Sequence, residues 1–86
     1  MDLREERGRV ELGRRIQSAI AQAGYASLPS FAEALGCSRA LIYQYVSGNV
    51  LVQLDRLCAI AELTDKPLNW FLAEDPNGAP AEVQRL

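Results

Sequence analysis

The chain has 86 residues, of which 49% are hydrophobic and 23% charged, so a single small globular domain is expected rather than a disordered segment. No apolar run approaches the roughly 20 residues of a membrane span. MDLREERGR at the start lacks the apolar centre of a signal peptide, so a cytoplasmic location without a membrane partner is the expectation.

Residues 2–9 alternate Arg and Glu around Gly8. They read as a solvated extension of the next helix, as a frayed end, or as a basic arm. Leu12, Ile16, Ala19, Ile20 and Ala23 recur at helical spacing, which predicts a first helix over 10–23, stopped by Gly24. Ser27 is a candidate N-cap, and Pro29 suits a first helical turn, giving a second helix over 28–35. Within it Phe31 and Leu35 are i,i+4 neighbours, and the small Ala32 permits a close helix crossing. Gly36 supplies a positive φ to end that helix, Cys37 plugs the turn, and Ser38 caps a third helix over 38–47. Ile42 and Tyr45 anchor the inner side of the third helix, and Gly48-Asn49 breaks it. A fourth helix is expected over 53–63, with Leu54, Leu57, Cys58 and Ala61 on its buried stripe. A fifth is expected over 67–73, starting at Pro67 and carrying Leu68, Trp70, Phe71 and Leu72. EDPNGAPAEVQRL, residues 74–86, reads as a tail or linker.

Five short helices without a strand signal predict an all-α bundle. Cys37 and Cys58 are expected as free core thiols, lacking metal-ligand spacing, so no metal or cofactor is expected. The chain has no histidine, the commonest general base, and no glycine-rich phosphate cradle, so an enzyme is not expected. A chain this short buries only about 60–65% of the surface its unfolded form exposes. Dimerisation would add apolar burial.

Two helices across a tight turn, the second facing outward, form the helix-turn-helix arrangement, whose second helix enters a DNA major groove. The net charge of −2 argues against such a partner, but six of the nine basic residues, Arg4, Arg7, Arg9, Arg14, Arg15 and Arg39, precede residue 40. With screening over about 8–10 Å, a local basic face still attracts phosphate. With Ile42 and Tyr45 inward, Arg39, Ala40, Tyr43 and Gln44 share the outer side and are the expected base contacts. Tyr43 reads equally as a partly buried ring. Ser27 and Ser38 start helices, where free backbone donors favour phosphate, or are simply caps. Arg14 and Arg15 project from the first helix, as phosphate clamps or as a solvated face.

FAEALGCSRALIYQYVSGN, LDRLCAIAELT and KPLNWFL carry a resemblance to the Cro/C1-type, or XRE, family of helix-turn-helix domains, spanning roughly residues 10–73. The resemblance implies a five-helix lambda-repressor-like bundle. It also implies sequence-specific binding of double-stranded DNA at a near-palindromic operator, as a homodimeric transcriptional regulator, most simply a repressor. Ser47 and Asn49 match positions that contact the DNA backbone. Repressors of this class resemble one another in dimerising, and Leu68, Trp70, Phe71 and Leu72 form the candidate interface, with closure of the monomer core as the alternative for Trp70 and Phe71. The chain departs from the family at Leu28, where many members have Gln, at Val46 in place of a frequent Glu, and at Asp65-Lys66 in place of Gly-Val. The same fold also serves antitoxin-like and other protein-interaction modules, which is the alternative function.

Overall fold

Five α-helices follow one another through residues 1–73, the part of the chain that the computed structural model describes. They are α1 (Glu6–Gln22), α2 (Leu28–Leu35), α3 (Arg39–Ser47), α4 (Leu54–Thr64) and α5 (Leu68–Leu72). Among the described residues there is no strand, as the all-α expectation requires, and no helix long and apolar enough to cross a membrane. The tail expected over 74–86 lies outside the described residues.

Each helix contributes to one core. Leu12, Ile16 and Ile20 of α1, Phe31 of α2, Ile42 of α3, Leu57 and Ile60 of α4 and Phe71 of α5 are all essentially inaccessible to solvent. Tyr25 meets Phe31 edge to face, ring centres 4.9 Å apart, which seals the core below the α1–α2 loop.

α1 packs most extensively against α3, and two glycines set their separation. A Cβ on Gly13 would lie well inside the van der Waals radius of the Val46 carbonyl oxygen and 2.7 Å from that of Tyr45. On the other side of the contact, a Cβ on Gly48 would meet the backbone of Val10 at 2.7–2.8 Å. Only hydrogen at these two places lets the helix backbones approach as they do.

Three expectations need correction. The first helix starts at Glu6 rather than at residue 10, so residues 6–9 extend it as one reading of that segment expected, and the residues before it are folded rather than frayed: Met1 and Leu3 pack against the core, and Arg4 pairs with Asp2. The hydrogen bond from Arg4 holds the Asp2 carboxyl below its usual range. Ala23 caps α1 and is exposed, so it does not belong to the buried stripe. On α4 the stripe is Leu57, Ile60, Ala61 and Thr64, which leaves Cys58 exposed and Leu54 66% exposed. Both candidate stripes satisfy i,i+3,i+4 spacing, and at about 100° per residue the choice turns the helix by most of one residue. Ile60 at the centre of the core selects the second.

α4 ends with Asp65 in the left-handed conformation, φ 58° and ψ 43°, the one described non-glycine residue with positive φ. Its N–H and that of Lys66 bond to the Glu62 and Ala61 carbonyls, the pattern that glycine usually closes. Asp65→Gly is expected to raise stability by about 1 kcal/mol, less the entropy cost of glycine, seen as a higher thermal midpoint. Gly13→Ala is expected to cost about 1–3 kcal/mol by forcing α1 off α3, measured by urea denaturation.

Candidate functional site

The α2–turn–α3 unit is built by its caps. Ser27 Oγ accepts from the Ser30 N–H at 3.2 Å, and Ser30 Oγ accepts in return from the Ser27 N–H at 3.2 Å, so two otherwise unpaired donors at the start of α2 are satisfied reciprocally. Gly36, at φ 84°, closes α2. Its N–H reaches the Glu33 carbonyl and the Cys37 N–H reaches that of Ala32 at 3.0 Å. Ser38 Oγ then accepts from the Leu41 N–H at 3.0 Å and starts α3 after a turn of three residues, Gly36-Cys37-Ser38. Gly48, at φ 82°, ends α3 in the same way, with Asn49 N–H bonded to the Gln44 carbonyl at 3.1 Å.

These constraints fix which side of α3 faces out. Ile42 is inaccessible and Tyr45 only 5% exposed, while Arg39, Ala40, Tyr43 and Gln44 are all exposed, Tyr43 by half. The four side chains expected to share the outer face of α3 are therefore together on one open surface. Ser38, Ser47 and Asn49, at the two ends of α3, are exposed, as is Ser27 at the start of α2. Ser47 Oγ donates to the Gln44 carbonyl, and both Ser27 and Ser38 act as caps. Arg39 forms no ion pair among the described residues. Arg39 lines a groove with Pro29, Ser30, Ala32, Glu33 and Cys37, so the one carboxylate of α2, on Glu33, belongs to the same groove. Cys37 is half-buried in the turn, as a plug there should be.

Arg15 does not fit its expected place as a phosphate clamp. It is 8% exposed, and its guanidinium donates to the Phe71 carbonyl at 3.1 Å, to the Ala73 carbonyl and to Glu11. It staples α1 to the end of α5, where a cation also meets the negative end of a helix. Arg14 remains exposed but is paired with Glu11. That pairing, with the neighbouring charge of Arg15, holds the Glu11 carboxyl below its usual range against the opposing effect of burial.

Phe71 is likewise misplaced in the expected dimer interface, because it is fully buried in its own core. Trp70 stacks edge to face on Phe71 at 5.0 Å and is covered by Lys66, whose Nζ lies 4.7 Å from the ring centre. Leu68, Trp70 and Leu72 are half-buried against the monomer core.

One residue that sequence reasoning missed bears directly on the site. Arg9 Nε donates to the Gly48 carbonyl at 3.1 Å and Nη1 to the Arg4 carbonyl at 3.0 Å, tying the amino-terminal segment to the end of α3. Nothing in a run of alternating charges distinguishes Arg9 from Arg4 or Arg7. Only the Arg9–Val10–Gly48 juxtaposition does.

No protein-family model, curated protein or solved structure matches this chain.

Arg15→Met keeps the aliphatic stem but leaves two carbonyls without their partner, and a loss of about 1–3 kcal/mol is expected by chemical denaturation. Because the Glu11 carboxyl is depressed, its contribution is present above the ordinary glutamate range and disappears as pH falls through the folded value. Glu11→Gln should therefore be less stable than the parent at pH 7, by up to about 1 kcal/mol, with the gap closing in acid. Melts over a pH series report it.

Proposed function

We propose that this chain binds double-stranded DNA sequence-specifically, as a homodimeric transcriptional regulator of the lambda-repressor-like helix-turn-helix kind, with α3 in the major groove. The observation that carries this reading is the outward face of α3: Arg39, Ala40, Tyr43 and Gln44 exposed together on a helix whose opposite side is buried in the bundle and whose two ends are capped. An α-helix fits the major groove, and rigid presentation of its outer residues is what base readout needs. The resemblance of the same stretch to Cro/C1-type domains supports it.

Each residue has a chemical role in this reading. The planar fork of Arg39 donates two hydrogen bonds to O6 and N7 of a guanine, and Gln44 pairs with N6 and N7 of an adenine. Ala40 contacts a thymine methyl, and Tyr43 lays its ring on the sugar or donates to a phosphate. Ser27, Ser38, Ser47 and Asn49 meet the backbone around the helix. α3 carries no acidic residue, the nearest carboxylate along the Arg39 groove being Glu33 of α2, and the overall charge of −2 matters less than this distribution. Two copies on half-sites about 34 Å apart would turn weak single-helix binding into specific occupancy and block access to a promoter.

A protein-interaction module of the antitoxin-like kind is the second reading. The half-exposed Tyr43 ring beside Arg39, in a chain of net negative charge, favours it.

Selection from a randomised duplex pool, followed by fluorescence anisotropy at two salt concentrations, separates the two. The expected outcome is a near-palindromic motif bound less tightly at higher salt, with Arg39→Ala relaxing one base pair per half-site at a cost of about 1–3 kcal/mol. Failure to enrich any motif would overturn DNA reading. An unchanged motif in Arg39→Ala would overturn the assignment of base contacts.

A further inference from the structure

We infer that Arg9 of α1 takes a backbone phosphodiester of the duplex at the carboxyl end of α3, where α3 has no cation of its own. The inference rests on the DNA-binding reading, though only on its sequence-independent part. Among the described residues, the arginines before residue 40 divide by what holds them. Arg4 is paired with Asp2, and Arg14 and Arg15 are paired with Glu11. Arg7, Arg9 and Arg39 have no carboxylate partner. Of these three, only Arg9 has its side chain held by hydrogen bonds.

The way it is held leaves its charge uncancelled. A guanidinium carries five N–H donors. Arg9 gives Nε to the Gly48 carbonyl at 3.1 Å, and Nη1 to the Arg4 carbonyl at 3.0 Å and the Leu3 carbonyl at 3.5 Å. All three acceptors are neutral main-chain oxygens. Nη2 has no partner among the described residues. Since no buried polar side-chain atom there lacks a partner, the Nη2 donors of this half-buried residue are open to solvent. One part of the fork is fixed and the rest is uncommitted. A long side chain ordered beforehand loses little freedom when a ligand arrives.

Its place suits a phosphate. Gly48 is the C-cap of α3, with the exposed Ser47 and Asn49 on either side of it. A helix that sets its amino-terminal residues on base edges carries its other end toward the backbone. α3 has nine residues and is about 13 Å long, against a major groove about 12 Å wide. By itself that end repels an anion, because helix carbonyls converge there with a partial negative charge. α3 has no basic residue in its last turn. Arg9 supplies the missing cation from α1, on the carbonyl of the capping residue itself.

Fluorescence anisotropy of the full chain on a random-sequence duplex, over a series of salt concentrations, tests the inference. Wild type is expected to bind more weakly as salt rises. Arg9→Gln should bind on the order of tenfold more weakly at low salt. Its slope of log affinity against log salt should be shallower by about 0.9, the share of one phosphate contact, with any enriched motif unchanged. Arg9→Lys keeps the charge and should keep the slope. Arg7→Gln removes a cation that nothing holds in place, and should change the slope less. A slope unaltered in Arg9→Gln, or altered no more than in Arg7→Gln, would overturn the inference. Equal weakening in Arg9→Gln and Arg9→Lys at the wild-type slope would also overturn it, leaving Arg9 as a brace for α3 alone. A second measurement needs no substitution: the side-chain N–H resonances of Arg9 in wild type should shift when duplex is added. Resonances that stay put sink the inference even where the variants fail to fold. Random duplex bound through Arg9 with no motif enriched defeats only the sequence-specific reading. A motif relaxed by Arg39→Ala, with the slope of Arg9→Gln unchanged, defeats only this inference. Wild type that binds no duplex at any salt defeats both.

Discussion

The separation of α1 from α3 is the constraint on which the rest of the molecule depends. Gly13 lets the α1 backbone lie under the Val46 and Tyr45 carbonyls, and Gly48 lets the last turn of α3 lie against Val10. Arg9 then closes the contact by donating to the Gly48 carbonyl. Because the helices meet backbone to backbone, there is no long side chain between them to change rotamer, and the contact is as stiff as the helices themselves. α3 is consequently held along its length by α1 and across its inner side by Ile42 and Tyr45. Whatever the outer face of α3 meets, it meets a surface that does not rearrange cheaply.

That stiffness is achieved in a protein with little core to spare. Six large side chains are fully buried, and the margin left after chain entropy in a domain of this size is small. Directed polar contacts at helix ends do much of the remaining work: the Ser27–Ser30 reciprocal cap, the Ser38 cap and the Arg15 staple on the Phe71 carbonyl. Among the described residues no buried polar side-chain atom lacks a partner. A buried guanidinium is tolerable only on that condition, and Arg15 meets it by facing two carbonyls and a carboxylate at once.

What could be read in advance follows from how local the information is. The stretch from Ser27 to Gly48 is dense with residues that act on their immediate neighbours: two serine caps, a proline in a first turn, two glycines at positive φ. Such signals need no knowledge of the rest of the fold, and α2, the turn and the outward face of α3 were legible from them. The rotation of α4 was not, because Leu54-Leu57-Cys58-Ala61 and Leu57-Ile60-Ala61-Thr64 are both acceptable helical stripes, and only packing against α1 and α2 decides between them. The fates of Arg9 and Arg15 were illegible for a related reason. Each lies one residue from an arginine or valine that stays exposed, and their partners at Gly48, Phe71 and Ala73 lie 39, 56 and 58 residues away. The early start of α1 depends equally on long-range packing of Met1 and Leu3.

The α4 rotation and the acidic overall charge bear on one another. Had Leu54 and Cys58 been buried as their spacing allows, Leu51 alone would stand as a large exposed apolar side chain between α3 and the first turn of α4. Turning α4 the other way places Ile60 in the core and leaves Leu54 outside, three residues past the exposed Leu51. The bundle thereby sorts its surface along α3: a cation at the amino end on Arg39, an uncharged stretch through Tyr43 and Gln44, and the exposed Leu51 and Leu54 past the carboxyl end. A net charge summed over the chain conceals that gradient.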